Sequence, residues 1–108
     1  MTMTTTPIRT DVALTIAVPA DTHPAPTLQA SGTRDLISGA KFLATLMNVT
    51  NHNQSSQTIV ENPYRTTNWE AHFHMMQLQV GHYYFLVVTI VPANGEAPIS
   101  ASKIFKAV

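Results

Sequence analysis

Apolar and polar residues alternate along most of this chain, with a period of two. Val12, Leu14, Ile16 and Val18 interleave with Ala13, Thr15 and Ala17, the mark of a half-buried strand. Pro19 ends this run, and the further prolines at 24 and 26 make residues 20–26 a loop. Residues 27–33 alternate again, with Leu28 and Ala30 inward. Ser38-Gly39 marks a turn before a third run at residues 41–50, and residues 48–56 are polar and turn-rich. Residues 57–61 form a short strand, Asn62-Pro63 breaks it, and residues 69–76 resume. Gly81 marks a corner. Residues 83–91 are the longest and most β-prone run, rich in aromatic and β-branched side chains. Pro92-Ala93-Asn94-Gly95, with its Asn-Gly pair, is the turn into a closing strand at residues 98–108. About seven strands at roughly 8–15-residue spacing predict an all-β sandwich. Only residues 36–47 also admit a helix, because Leu36, Ala40, Leu43 and Met47 fall on one helical face. Gly39 and the β-branched neighbours favour the strand.

Composition narrows the function classes. At 108 residues and 44% apolar, the chain holds one domain that fills its core without staples. That domain spans residues 11–108, and the Thr-rich stretch at residues 1–10 reads as a flexible or extended arm. Having no cysteine excludes a disulfide scaffold, a thiolate zinc site, an iron–sulfur cluster and a cysteine nucleophile. The 6 basic and 6 acidic residues cancel, which speaks against a general nucleic-acid binder. Charged residues are only 11% of the chain, against about 25% in a typical domain. Thr, Ser, Asn and Gln therefore supply much of the wetted surface, which repels other copies weakly and tolerates close association. The first seven residues lack the basic start and apolar stretch of a secretory signal. The longest apolar run, residues 83–90 broken by Thr89, is far short of a membrane span.

Leu78-Gln79-Val80-Gly81-His82-Tyr83, followed by Phe85 and Val87, resembles the corner entering strand F of immunoglobulin-like and fibronectin type III-like domains. The resemblance implies an immunoglobulin-like antiparallel β-sandwich of about seven strands, in which Tyr83 packs its ring in the core and bonds its hydroxyl to nearby backbone. The chain lacks both cysteines and the strand-C tryptophan of antibody-type domains, and Phe42 or Leu46 takes the latter's region. The looser sandwiches of surface and virion proteins remain, a group too varied in function for the fold to assign a role.

The run at residues 83–91 is apolar on both sides. Tyr83, Phe85 and Val87 point one way, and Tyr84, Leu86, Val88 and Ile90 the other. The run at residues 41–50 behaves alike, with Phe42, Ala44 and Leu46 set against Leu43, Met47 and Val49. The expectation is that Tyr83, Phe85 and Val87 face the core. Tyr84, Leu86, Val88, Ile90, Leu43 and Met47 then line an outward patch, of which all but Ile90 expose on the order of 400–600 Å², large for a monomer. Covering it yields roughly 10 kcal/mol before association costs, at about 25 cal/mol per Å². The cover is a protein partner, a second copy, or a loop or the N-terminal arm of the same chain.

Candidate chemistry is sparse. Glu70, His72 and His74 lie two apart on one face of a predicted strand. They would supply three ligands to zinc with a fourth position open, or simply form its solvent side. Tyr64 and Trp69, near Asn62 and Asn68, have the residue types of a carbohydrate-stacking surface, although Trp69 also suits the core. His82 reads as a turn residue, and His23 and His52 as loop residues. Asn48-Val49-Thr50 and Asn53-Gln54-Ser55 have glycan-acceptor spacing. No nucleophile elbow, phosphate-binding glycine loop or helical metal pair occurs, and no spacing brings two of the six carboxylates together. The expectation is a non-catalytic structural or interaction module without cofactor, with no nucleic-acid partner and no membrane insertion. Its expected setting is a virion, as structural or decoration protein, or another extracellular assembly, after folding in the cytoplasm. The alternative is a carbohydrate or cell-surface recognition module.

Overall fold

In the computed structural model, which describes residues 12–51, 56–61 and 66–108, the alternating runs after residue 26 become strands, the expected strand at residues 12–18 is reduced to two isolated bridges, and none of the described residues is helical. The arm at residues 1–10, His52, Asn53-Gln54-Ser55 and Tyr64 lie outside the described residues. The seven strands are β1 (Thr22–His23), β2 (Gln29–Thr33), β3 (Lys41–Asn48), β4 (Gln57–Glu61), β5 (Asn68–His72), β6 (Tyr83–Val91) and β7 (Ile99–Ala107). They form a five-stranded sheet in the order β1-β7-β6-β3-β4 and a two-stranded sheet of β2 and β5. All pairings are antiparallel except β1 with β7. Residues 36–47 thus resolve to a turn and a strand, because Gly39 takes a φ of 74° that few other residues adopt.

The start of the chain serves both sheets. Residues 12–18 run antiparallel beside β2, with bridges from Leu14 to Arg34 and from Val18 to Ser31. Thr15 N donates to Thr33 O at 2.9 Å, and Ala17 N to Ser31 O at 2.8 Å. After the buried Pro19 the chain crosses to the other sheet, where β1 lies along β7. This short strand falls in the stretch expected to be loop. Its side-chain anchor is Lys103, whose Nζ donates to Asp21 Oδ1 at 2.7 Å. That hydrogen bond and the ammonium charge hold the Asp21 carboxyl below the usual carboxylate range.

The two sheets share one apolar core. From the small sheet and the residues flanking it come Leu28, Ala30, Trp69, Ala71 and Phe73, and from the large one Phe42, Ala44, Leu46, Tyr84, Leu86, Val88, Ile90 and Phe105. Rings bridge the layers, with Phe42 and Trp69 centroids 5.2 Å apart. Burial in β6 alternates strictly, and Tyr84, Leu86, Val88 and Ile90 are each 0% exposed. Each such aliphatic side chain contributes about 1.5–3 kcal/mol on leaving water.

Tyr84, Asn48 and Arg34 each make hydrogen bonds from the interior. Tyr84 turns its hydroxyl to the corner before β6, where it accepts from Gln79 N at 2.8 Å and lies 3.5 Å from Gln77 O. The corner role expected of Tyr83 therefore belongs to Tyr84, and the Tyr83 ring is 47% exposed. Buried Asn48 donates from Nδ2 towards His82 Nδ1 at 3.0 Å and the Tyr84 hydroxyl at 3.3 Å. Its Oδ1 accepts from Thr50 N and Asn51 N. Buried Arg34 joins the sheets, reaching Glu61 of β4 at 2.6 Å and donating from Nε to Thr66 O at 2.8 Å. Its guanidinium also lies over the Phe42 ring.

Candidate docking face

The outer side of the five-stranded sheet is built from the alternate residues of β4, β3, β6 and β7. Their register sets them in rows. Met47, Phe85 and Ile104 stand side by side across β3, β6 and β7. The next row holds Thr58, Thr45, Val87 and Ser102, and the one after it Val60, Leu43, Thr89 and Ser100. Hydroxyls on the face satisfy one another, as in Thr45 with Thr58 at 2.9 Å and Thr89 with Ser100 at 3.0 Å. Of the apolar members, Ile104 is 59%, Val60 57% and Met47 37% exposed, while Leu43, Phe85 and Val87 are half-buried. Lys41 and Lys106 stand at opposite ends of the face, the latter with its ammonium 5.9 Å from the Tyr83 ring centroid. No outward position on these four strands is acidic. Glu61 has the parity of Phe42 and is drawn to Arg34.

This face corrects the expected patch. Tyr84, Leu86, Val88 and Ile90 lie inside the sandwich and are not available for docking. Leu43 and Met47 do lie on the outer side, beside Tyr83, Phe85 and Val87, which were expected inside. The error is a one-residue slip in β6, which exchanges every side chain between the faces. A signal for the correct parity is present in the sequence. Thr89 has the parity of Tyr83, Phe85 and Val87, whereas the other set is wholly apolar apart from the Tyr84 hydroxyl. Ile104 and Val60 join the face only through pairing register, which strand-by-strand pattern reading does not supply.

The other candidates are not assembled. Trp69 is 1% exposed, and its Nε1 donates to Thr15 O at 2.9 Å. Gly32 lies opposite Trp69 in β2, and a Cβ there would overlap the Thr15 carbonyl and crowd the indole nitrogen. Trp69 is therefore a core residue and not a stacking platform. Glu70 and His72 share the solvent side of β5, where Gln29 Nε2 donates to Glu70 Oε2 at 3.3 Å. The strand ends at His72, so His74 stands in the following turn and leaves the expected ligand row. Among the described residues no group of three His, Cys, Asp or Glu side chains is placed to hold a metal ion. The outer side of the small sheet carries Gln29, Ser31 and Thr33 from β2 and Asn68, Glu70 and His72 from β5, a polar surface. Pattern reasoning also missed buried Arg34 and Asn48, whose partners come from distant segments. Comparison of the chain with protein-family models, curated proteins and solved structures finds no match.

Proposed function

We propose that this chain is a non-catalytic structural and interaction module, an immunoglobulin-like sandwich that joins a larger assembly through the outer face of its five-stranded sheet. Two observations support the immunoglobulin-like reading. β3, β6 and β7 adjoin in one sheet while β2 and β5 pair in the other, the partition that domains of this type use for strands C, F and G against B and E. Tyr84 bonds its hydroxyl back to the backbone just upstream of β6, as a tyrosine corner does. The docking role rests on the apolar row of Met47, Phe85 and Ile104, in which half-buried Phe85 stands between exposed Met47 and Ile104. An antiparallel sheet that faced only water would carry polar residues there. A virion subunit or decoration protein is the setting we propose, because the low charge and hydroxyl-rich composition favour close packing among subunits.

The docking role is tested with an apolar fluorescent dye. Wild type should bind it, and Met47→Lys and Ile104→Lys should lose that binding while keeping the circular dichroism of wild type. Equal dye binding by the folded variants would contradict the role. For the setting, mass spectrometry of purified particles from the source should find the chain in constant proportion to the major subunit. Particles without it would remove the virion proposal.

A further inference from the structure

Resting on that docking reading, we infer that the occupant of the outer face is a second copy of this chain, packed face to face about a two-fold axis. The first argument is charge. The chain has zero formal net charge, and its outer face has lysines only at opposite ends and no carboxylate between them. Between those lysines a partner must present an uncharged, apolar surface, because a charged group set against the centre of this face is desolvated without a counter-ion. The face itself has that character.

The second argument is the contrast between the two outer sides. The small sheet presents Gln29, Ser31, Thr33, Asn68, Glu70 and His72. A head-to-tail contact between copies would press the apolar row onto these polar groups. Like against like satisfies both sides, and such an isologous contact closes at two copies instead of running into a filament.

The third argument is area. Three strands of about eight residues and one of five, at about 4.8 Å spacing and about 3.3 Å rise, make a face of roughly 460 Å² in plan. Two copies then bury on the order of 1,000 Å², the lower bound for a specific interface and below that of a permanent one. The dimer is accordingly reversible and dissociates on dilution. At its centre Val87, in the middle of the central strand, approaches its own symmetry mate.

Sedimentation velocity over a wide concentration range, with a crosslinking arm that exploits the cysteine-free background, tests this inference. The wild-type mass should rise from one chain towards two with concentration. Ile104→Lys should stay a folded monomer, and Met47→Lys serves the same purpose should the first variant fail to fold. Val87→Cys should form a disulfide-linked dimer on mild oxidation at least tenfold faster than Ser31→Cys on the opposite outer side. A wild type that stays monomeric throughout, with Val87→Cys no faster than the control, overturns the second copy as occupant. The dye measurement then tells whether the docking face itself survives, since a dye-binding monomer keeps the face and a non-binding one loses it. A dimer that both folded lysine variants leave intact overturns both readings.

Discussion

Tyr84 shows how much a single hydroxyl can organise. Its ring lies in the core, stacked on Phe105 at 5.6 Å, and its oxygen takes hydrogen bonds from Gln79 N and from Asn48. Tyr84→Phe leaves those donors short of an acceptor in a buried corner and should cost about 1–3 kcal/mol. Tyr83→Phe, on the exposed neighbour, should change stability by less than about 0.5 kcal/mol. Urea titrations of the two variants read the difference directly, and equal costs would contradict the assignment of the corner. Gly32 is the complementary case. Gly32→Ala should push Trp69 from the Thr15 carbonyl and cost about 2–4 kcal/mol, with a shift in the emission of the single tryptophan. Unchanged stability and emission would show that the strands separate freely there. The corner is legible in the sequence to within one residue, because Gly81 and the following aromatics mark it. Which of two adjacent tyrosines turns inward depends on Asn48 and Gln79 coming within reach, and that is a tertiary fact.

At the scale of elements, β6 carries the account. Its period-two pattern is plain in the sequence, as are the bounds of β4 and β6. The faces of β3 are legible too, since Lys41 and Thr45 mark the wet side. In β6 only Thr89 does so, and one threonine among nine residues weighs little against a family resemblance that points the other way. Leu86→Lys should therefore unfold the domain, because an ammonium at a 0% exposed site costs several kcal/mol of a stability of about 5–15 kcal/mol. Ile104→Lys, at an outward position of β7 that is 59% exposed, should fold normally. Thermal melts that reverse this order would contradict the face assignment. β1 was not legible, since two residues among prolines carry no period and pairing with β7 is what makes them a strand. The Asp21–Lys103 bond beside it gives an acid-side signature. Its folded carboxyl titrates below the ordinary range, so the bond's contribution is complete above that range and fades as pH falls through the lowered value. Carboxyl NMR should show the depressed titration, and Lys103→Met should return it to the ordinary range. A titration unmoved by that substitution would place the cause elsewhere. Because the Asp21 carboxylate lies in solvent, the bond should matter little to the thermal midpoint at neutral pH.

The whole molecule is asymmetric in what it shows to water. One sheet turns hydroxyls, amides, Glu70 and His72 outward, and the other turns out Met47, Phe85, Val87 and Ile104. The sequence makes the two-sided character of the chain's centre legible, but the membership of the patch arises only when β7 and β4 take their places beside β6 and β3. The proposed metal row and sugar platform dissolve at this scale as well, one because β5 ends before His74 and the other because Trp69 points inward. The most direct measurement of the docking claim is a dilution series followed by methyl NMR. Met47, Val87 and Ile104 should shift together along one binding curve while Leu86 and Val88 hold still. Methyls that keep their positions at every concentration, or shifts confined to residues of the small sheet, would contradict self-docking through the outer face.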